Sequence, residues 1–318
     1  MITKFNSQSF KAYKDVAKAA FDPSRPLLAQ IVITRRCNLS CGYCYEYDKV
    51  SKPVDLKILK KRIDELKRLK VVFVTLNGGE PLLHPHAAEL VKYIADKGMI
   101  PMMNSNGWLL KKDTILELNE AGLFGIQISC DGLEDNEITK KSLRRLEPKL
   151  ALLKQYAKFK VRINGVLGSG NANDITEVAK TILDYGFDFQ CSLIRDESGS
   201  AIVLDKDMQT AYMEIRKMKG RLPSYLHDSF QIPLIKGESV EWKCRSGARY
   251  FHLDENGLVH LCQPRAGFPA KRIKDYTRQD ILDNFYLEKS CSARCPHAYA
   301  HIGSRLDQFR KQPKRMSS

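Results

Sequence analysis

Seven of the nine cysteines in this 318-residue chain fall into two groups. Cys37, Cys41 and Cys44 form C-x3-C-x2-C. Three thiolates on so short a loop can converge on one metal centre, and Gly42 lets the loop turn tightly. A structural zinc site uses four ligands, usually from paired C-x2-C motifs. The nearest fourth candidates, His84 and His86, lie beyond the next strand. Three thiolates instead leave one corner of a cubane [4Fe-4S] cluster without a protein ligand. An open iron of that kind is what a substrate-activating cluster needs. Cys244, Cys262, Cys291 and Cys295 form the second group, as C-x12-G-x4-C and then C-x3-C, with Gly257 as the glycine. Their thiolates could hold a second iron–sulfur cluster or a zinc ion. His252, His260 and His297 lie nearby and read as surface or packing residues, each able to replace a ligand.

These groups need a scaffold, and the chain between them alternates strand and helix patterns. Strands are predicted at 28–34, 71–77, 100–106, 125–131, 160–166 and 188–194. Helices are predicted at 55–69, 86–96, 113–121, 133–156 and 174–185, with Gly98, Gly122 and Gly186 where helices end. Six strands alternating with five helices make parallel βα units. Right-handed crossovers then curve the sheet, with helices outside.

Side chains alternate across a strand. One row is polar: Asn77, Asn104, Gln127, Asn164 and Gln190, with Thr75, Ser129, Asp131, Arg162 and Ser192 in step. The other row is apolar, including Val74, Leu76, Ile126, Ile128 and Ile163. A packed barrel would fill its interior with branched apolar residues. A polar inner row predicts a wet ligand cavity. Cys130 and Cys191 fall on the outer row and read as packing residues.

After residue 194 the rhythm stops. A helix is predicted at 205–218, a Pro-bearing connection at 220–237, and a hairpin at 248–262 turning at Asn256-Gly257. The expected division is an N-terminal segment 1–26, a barrel 27–219, and 220–318 carrying the second cysteine group and a basic tail. An odd, clustered cysteine set argues against a disulfide framework and for a reducing compartment. No stretch reaches the roughly 20 apolar residues of a membrane span. Lysines at 4, 11, 14 and 18 interrupt any signal-peptide core, so a cytoplasmic protein is expected. The formal net charge is +15. It is consistent with a solvated surface or with an anionic partner.

The loop Cys37-x3-Cys41-x-Tyr43-Cys44, followed by Gly78-Gly79-Glu80-Pro81 at the end of the second strand, resembles the radical S-adenosylmethionine (SAM) superfamily over about residues 27–195. The resemblance implies an α/β fold with a partial (β/α)6 barrel. It also implies a [4Fe-4S] cluster on Cys37, Cys41 and Cys44, with SAM chelating the open iron. Gly78, Gly79, Glu80 and Pro81 would then meet the methionine amino group, and Tyr43 the adenine. Ser105 or Asn106, Ser129 and Asp131 would meet the ribose or carboxylate, and Arg162 or Asn164 the methionine carboxylate.

The second cysteine group resembles the C-terminal extension of SPASM/twitch members. Four cysteines match the shorter twitch form, with one auxiliary [4Fe-4S] cluster. The final pair departs from the SPASM spacing. The reaction implied is reductive SAM cleavage and hydrogen abstraction. A small-molecule substrate, possibly anionic, is the main expectation, with Arg195 past the last strand as its contact. Peptide modification is the alternative, weakened by the roughly 26 residues before the first strand, too few for a peptide-recognition module. A non-catalytic iron–sulfur or zinc scaffold is more remote. Expected partners are a one-electron donor such as flavodoxin or ferredoxin, and no nucleic acid.

Overall fold

The computed structural model describes residues 7–44, 47–219 and 229–310. The basic tail beyond Arg310 and the first half of the Pro-bearing connection, 220–228, lie outside the described residues. The six predicted strands form: β1 (Leu28–Thr34), β2 (Phe73–Gly78), β3 (Ile100–Ser105), β4 (Gly125–Ser129), β5 (Lys160–Leu167) and β6 (Asp188–Leu193). They pair in sequence order, all parallel. The apolar row sits on the outer face. Ile31, Leu76, Ile126, Ile128, Ile163, Cys130 and Cys191 share one buried core with the helices.

Those helices are α2 (Leu56–Arg68), α3 (Ala87–Asp96), α4 (Lys112–Glu120), α5 (Leu143–Tyr156), α6 (Ala172–Asp184) and α7 (Lys206–Met218). In α2, Asp55 accepts the backbone N–H groups of Lys57 and Ile58, while Leu59, Ile63 and Leu66 share the buried face. Helix α5 begins ten residues later than predicted. Residues 133–142 form a loop because side chains capture the backbone. Asn136 Oδ1 accepts from Ile138 N (2.8 Å) and Thr139 N (2.7 Å), and Asp135 Oδ1 accepts from Ser142 Oγ at 2.6 Å.

Two further features were not predicted. Helix α1 (Ser7–Phe21) packs Ala12, Val16 and Ala19 on Leu27, Val72, Phe73, Ile100 and Phe124, covering the N-terminal ends of the strands. The C-terminal hairpin, β7 (Tyr250–Leu253) and β8 (Leu258–His260), turns where expected, but β7 pairs in parallel with β1, aligning His252 with Gln30. Strand β9 (Pro269–Arg272) follows, so the described strands make one nine-stranded sheet ordered β6-β5-β4-β3-β2-β1-β7-β8-β9. The cysteine-bearing region therefore extends the barrel wall. Helices α8 (Gln231–Ile235), α9 (Arg278–Tyr286) and α10 (Ala298–Ser304) complete it. No helix among the described residues is long and apolar enough to cross a membrane.

Candidate active site

A cavity of about 1280 Å³ runs along the inner face of the sheet. Cys37, Cys41 and Cys44 line one end of it. Their loop is anchored at the C-terminal end of β1. Cys37 N donates to Asp48 O, Gly42 N to Ile138 O and Cys44 N to Cys41 O, at 2.9–3.1 Å. Lys49 Nζ donates to the carbonyls of Cys37 (3.0 Å) and Leu39 (2.6 Å). Sulfurs accept as well: Leu39 N reaches Cys37 Sγ at 3.4 Å, and Lys140 N reaches Cys41 Sγ at 3.3 Å. Burial pushes the Cys37 thiol up, as do Glu80 and Cys44, while the Leu39 N–H and Lys141 pull it down. Three thiols on one cavity wall, with N–H donors on their sulfurs, fit a three-thiolate cluster with an open side.

The glycine pair is required by backbone proximity. A Cβ on Gly78 would stand 2.1 Å from Thr34 O, and one on Gly79 would stand 2.3 Å from Arg35 O. Both glycines line the cavity, but Glu80 and Pro81 do not. Glu80 is fully buried. Its carboxyl accepts from Ser105 Oγ (2.8 Å), Asn106 N (2.7 Å) and Leu82 N (3.0 Å). Burial pushes it up, against those three donors. These bonds rivet β3 to the turn after β2. Asn106 lies over the loop, with Nδ2 2.8 Å from Asn38 Oδ1 and 3.8 Å from Cys37 Sγ.

Asp131 also serves the protein rather than the cavity. It is buried and accepts from Val166 N (3.1 Å), Thr139 Oγ1 (2.7 Å) and Tyr43 Oη (2.6 Å). Tyr43 is thereby pinned by its hydroxyl. Burial and Asp131 push that hydroxyl well up from its usual range. Lys141, missed in the sequence, completes the cluster: Nζ donates to Tyr43 Oη at 2.8 Å and lies 5.0 Å over the ring. Burial pulls Lys141 down, but Tyr43, Asp131, Cys41 and Cys44 together raise it well above its ordinary value. It is a cation poised beside the cysteine loop, suited to an anionic cluster or a carboxylate. Assigning 133–142 to a helix hid it.

The polar row faces inward as predicted. Asn77, Asn104, Gln127, Asn164 and Gln190 line the cavity from five consecutive strands. Asn164 Oδ1 accepts from Gln190 Nε2 (3.1 Å) and Ser192 Oγ (2.7 Å). Ser129 lines the same wall. Arg162 sits near the N-terminal end of β5, opposite the end carrying the cysteine loop, and pairs with Asp188 at 3.4 Å. The expected contact between Arg162 and a SAM carboxylate beside the loop is corrected accordingly.

The second cysteine group borders the same space. Cys262 and Cys295 are raised first by burial, and further by their neighbours: Cys244 and Cys291 act on both. The four thiols are thus gathered by the fold, although no set of three or more His, Cys, Asp or Glu among the described residues is arranged to hold a single metal ion. His252 and His260 are buried, the packing alternative of the two expected, and His260 Nε2 lies 3.0 Å from Asp254 Oδ2. His297 lines the cavity and contacts Tyr250 Oη at 2.9 Å. Arg195 lines it too. Its Nη2 donates to Gln263 Oε1 at 2.8 Å, and its buried Nη1 has no hydrogen-bond partner. Asp196, its sequence neighbour, instead accepts from Ser198 and Ser200.

Known proteins can be set beside this geometry. PqqA peptide cyclase from Bradyrhizobium diazoefficiens is 28% identical over 170 residues, covering 51% of this chain and 45% of that protein. Mycofactocin maturase MftC from Mycolicibacterium smegmatis is 27% identical over 238 residues, covering 73% and 57%. The chain thus spans less than two thirds of the length of either relative. The crystal structure of Streptococcus suis SuiB shares the fold, with a TM-score of 0.59 at 18% identity over 93% of this chain and 72% of SuiB. The family model described as the radical SAM superfamily matches residues 31–182. That match begins inside β1 and ends inside α6, taking in the three-cysteine loop and the glycines it is seated against, and it marks residues 31–182 as a radical SAM domain.

Proposed function

We propose that the protein is a radical SAM enzyme that modifies a peptide. The observation that carries this reading is the cavity. Its volume of about 1280 Å³ has to take SAM as well as a substrate, so its lining rather than its size bears on the substrate class. Carboxamides from five consecutive strands line it, and each can both donate to and accept from a peptide backbone. The resemblance to PqqA peptide cyclase and to MftC supports the same direction. The small-molecule expectation gives way on those grounds.

In this proposal Cys37, Cys41 and Cys44 hold the SAM-binding [4Fe-4S] cluster, and Cys244, Cys262, Cys291 and Cys295 hold an auxiliary one. When bound, the first cluster and SAM supply one-electron cleavage to a hydrogen-abstracting 5′-deoxyadenosyl radical. The chain's own residues prepare that chemistry. Gly78 and Gly79 bring backbone close to the loop. Lys141 offsets negative charge there. Ser105, Asn106, Ser129 and Asn164 offer polar contacts along the same wall. Helix α1 covers the starts of β1 to β4, away from the loop. A low-potential protein donor such as flavodoxin or ferredoxin supplies the electron.

The test is anaerobic reconstitution with SAM, dithionite and synthetic peptides matching each short open reading frame that flanks the gene. A peptide mass change that depends on SAM is the expected result. If the peptide stays unmodified while a small metabolite is turned over, the peptide reading is wrong.

Arg195 is the proposed contact for an anionic group of the substrate, because its guanidinium has a buried nitrogen left over at the cavity wall. Arg195→Ala should raise the KM for the peptide roughly ten- to a hundredfold, the range for a hydrogen bond to a charged group. Substrate-independent SAM cleavage should stay at the wild-type rate. An unchanged KM would make Arg195 a brace for Gln263 alone.

A further inference from the structure

Two buried cations crowd the second cysteine group. Arg245 follows Cys244 directly and is fully buried. Its Nη1 donates to Phe285 O, and its guanidinium lies 4.2 Å over the Phe285 ring. Its Nε and Nη2 are buried with no hydrogen-bond partner. Asp307, the acid that acts on it, is already engaged by Arg249 and Arg310. Lys289, two residues before Cys291, is 7% exposed, and its Nζ donates to Asn284 O. Burial pulls the Lys289 ammonium down to about 8, while the nearby thiols of Cys244, Cys291 and Cys262 hold it up. Outside them, Arg265 hydrogen-bonds Cys291, and Arg195 acts on Cys295.

A buried cation without a paired acid is costly unless an anion completes it. Four thiolates on a [4Fe-4S] core supply one. That assembly carries two negative charges when oxidised and three when reduced by one electron. Fixed positive charge in a low-dielectric surround favours the more negative state. The first cysteine loop is different. Lys141 and the exposed Lys49 are the cations beside it, neither fully buried, and that site opens onto the cavity, where water screens charge.

We propose that Arg245 and Lys289 form a cationic cage that raises the reduction potential of the cluster held by Cys244, Cys262, Cys291 and Cys295, making it easier to reduce than the cluster at Cys37, Cys41 and Cys44. The inference rests on the reading that the four cysteines hold a [4Fe-4S] cluster. The cage biases this site toward accepting electrons, as an oxidative closing step on a peptide radical requires. It makes Arg245 and Lys289 positioning residues for charge, acting through the cluster rather than on substrate.

The experiment uses the full chain carrying Cys37→Ala, Cys41→Ala and Cys44→Ala as parent, reconstituted with iron and sulfide, so that only the second site reports. Iron is counted, and the midpoint is measured by redox titration followed by electron paramagnetic resonance. Lys289→Met and Arg245→Met should each lower the reduced-to-oxidised ratio at the parent's midpoint at least tenfold, about 59 mV for a one-electron couple. Lys289→Arg, which keeps the charge, should restore the parent value. The wild-type enzyme should show two midpoints, the higher one matching the parent. If Arg245→Met does not fold, Lys289→Met with its arginine rescue decides the matter. Unmoved midpoints in a parent that binds iron would overturn the cage alone. A parent that binds no iron would overturn the auxiliary-cluster reading, and the cage with it.

Discussion

Replacing Cys37, Cys41 and Cys44 together by alanine should reduce 5′-deoxyadenosine formation from SAM and dithionite to the level seen without protein. The loss is complete because, in the proposed reading, these three thiols hold the cluster, and the neighbouring donors among the described residues cannot take their place. Leu39 N, Lys140 N and Asn106 Nδ2 point hydrogens at sulfur, so they support a thiolate and offer no lone pair to a metal. Iron content distinguishes this site from the other. The wild type should bind about eight irons and the variant about four, one cubane's worth. Formation of 5′-deoxyadenosine at the wild-type rate in the variant would remove the basis for the proposed chemistry.

Asp307→Ala should destabilise the whole chain by roughly 3–5 kcal/mol, the range for removing one partner of a buried ion pair. Arg249 and Asp307 are both fully buried. Arg249 Nε and Nη2 donate to the Asp307 carboxylate at 2.7 and 3.0 Å. Its Nη1 donates to Asp22 O and Arg25 O, both at 2.8 Å. One side chain therefore ties the end of α1, the approach to β7 and the C-terminal turn at 305–307. Arg310 Nε leans on the same carboxylate at 2.8 Å. Without Asp307 the Arg249 cation remains buried and unpaired, which costs more than the pair itself contributes. Urea unfolding of the reconstituted protein reads this directly as a lower midpoint. The double variant Arg249→Met with Asp307→Leu should recover much of the loss, since a hydrophobic pair replaces a buried charge pair at little net cost. A midpoint within about 1 kcal/mol of wild type in Asp307→Ala would mean that the pair is not desolvated.

The peptide proposal and the cage inference connect through the shared cavity. His297 and Arg195 line it and stand against Cys295, so the wall of the substrate space is also the wall of the second cysteine site. In the proposed reading, an electron leaving a substrate radical there would pass to the second site through that wall. The first site lies at the end of the cavity with the cysteine loop. Separate potentials at the two sites would keep the electron that cleaves SAM from being confused with the electron that leaves the product.

The amino-acid sequence by itself determined the βα order, the polar inner row and the three-cysteine loop. Each is encoded in contiguous residues: period-two alternation within a strand, and ligand spacing within one turn of chain. Phase alone sent Asn77, Asn104, Gln127, Asn164 and Gln190 inward and Cys130 and Cys191 outward. Tertiary structure decided what depends on meetings between distant segments. Lys141 reaches Tyr43 across 98 positions because Asn136 and Asp135 hold 133–142 out of helix. Glu80 and Asp131, polar and well placed in sequence, were drawn inward because buried backbone N–H groups of Asn106 and Val166 needed acceptors. Arg162 sits at the wrong end for its expected ligand, and strand alternation gives the face of a residue but not its height relative to a loop. The pairing of β7 with β1 brings the second cysteine group to the cavity wall, a contact spanning some 220 residues that no local pattern announces. The two buried cations beside that group became visible only once burial was known, because an arginine and a lysine next to cysteines look, in sequence, like any solvated charge.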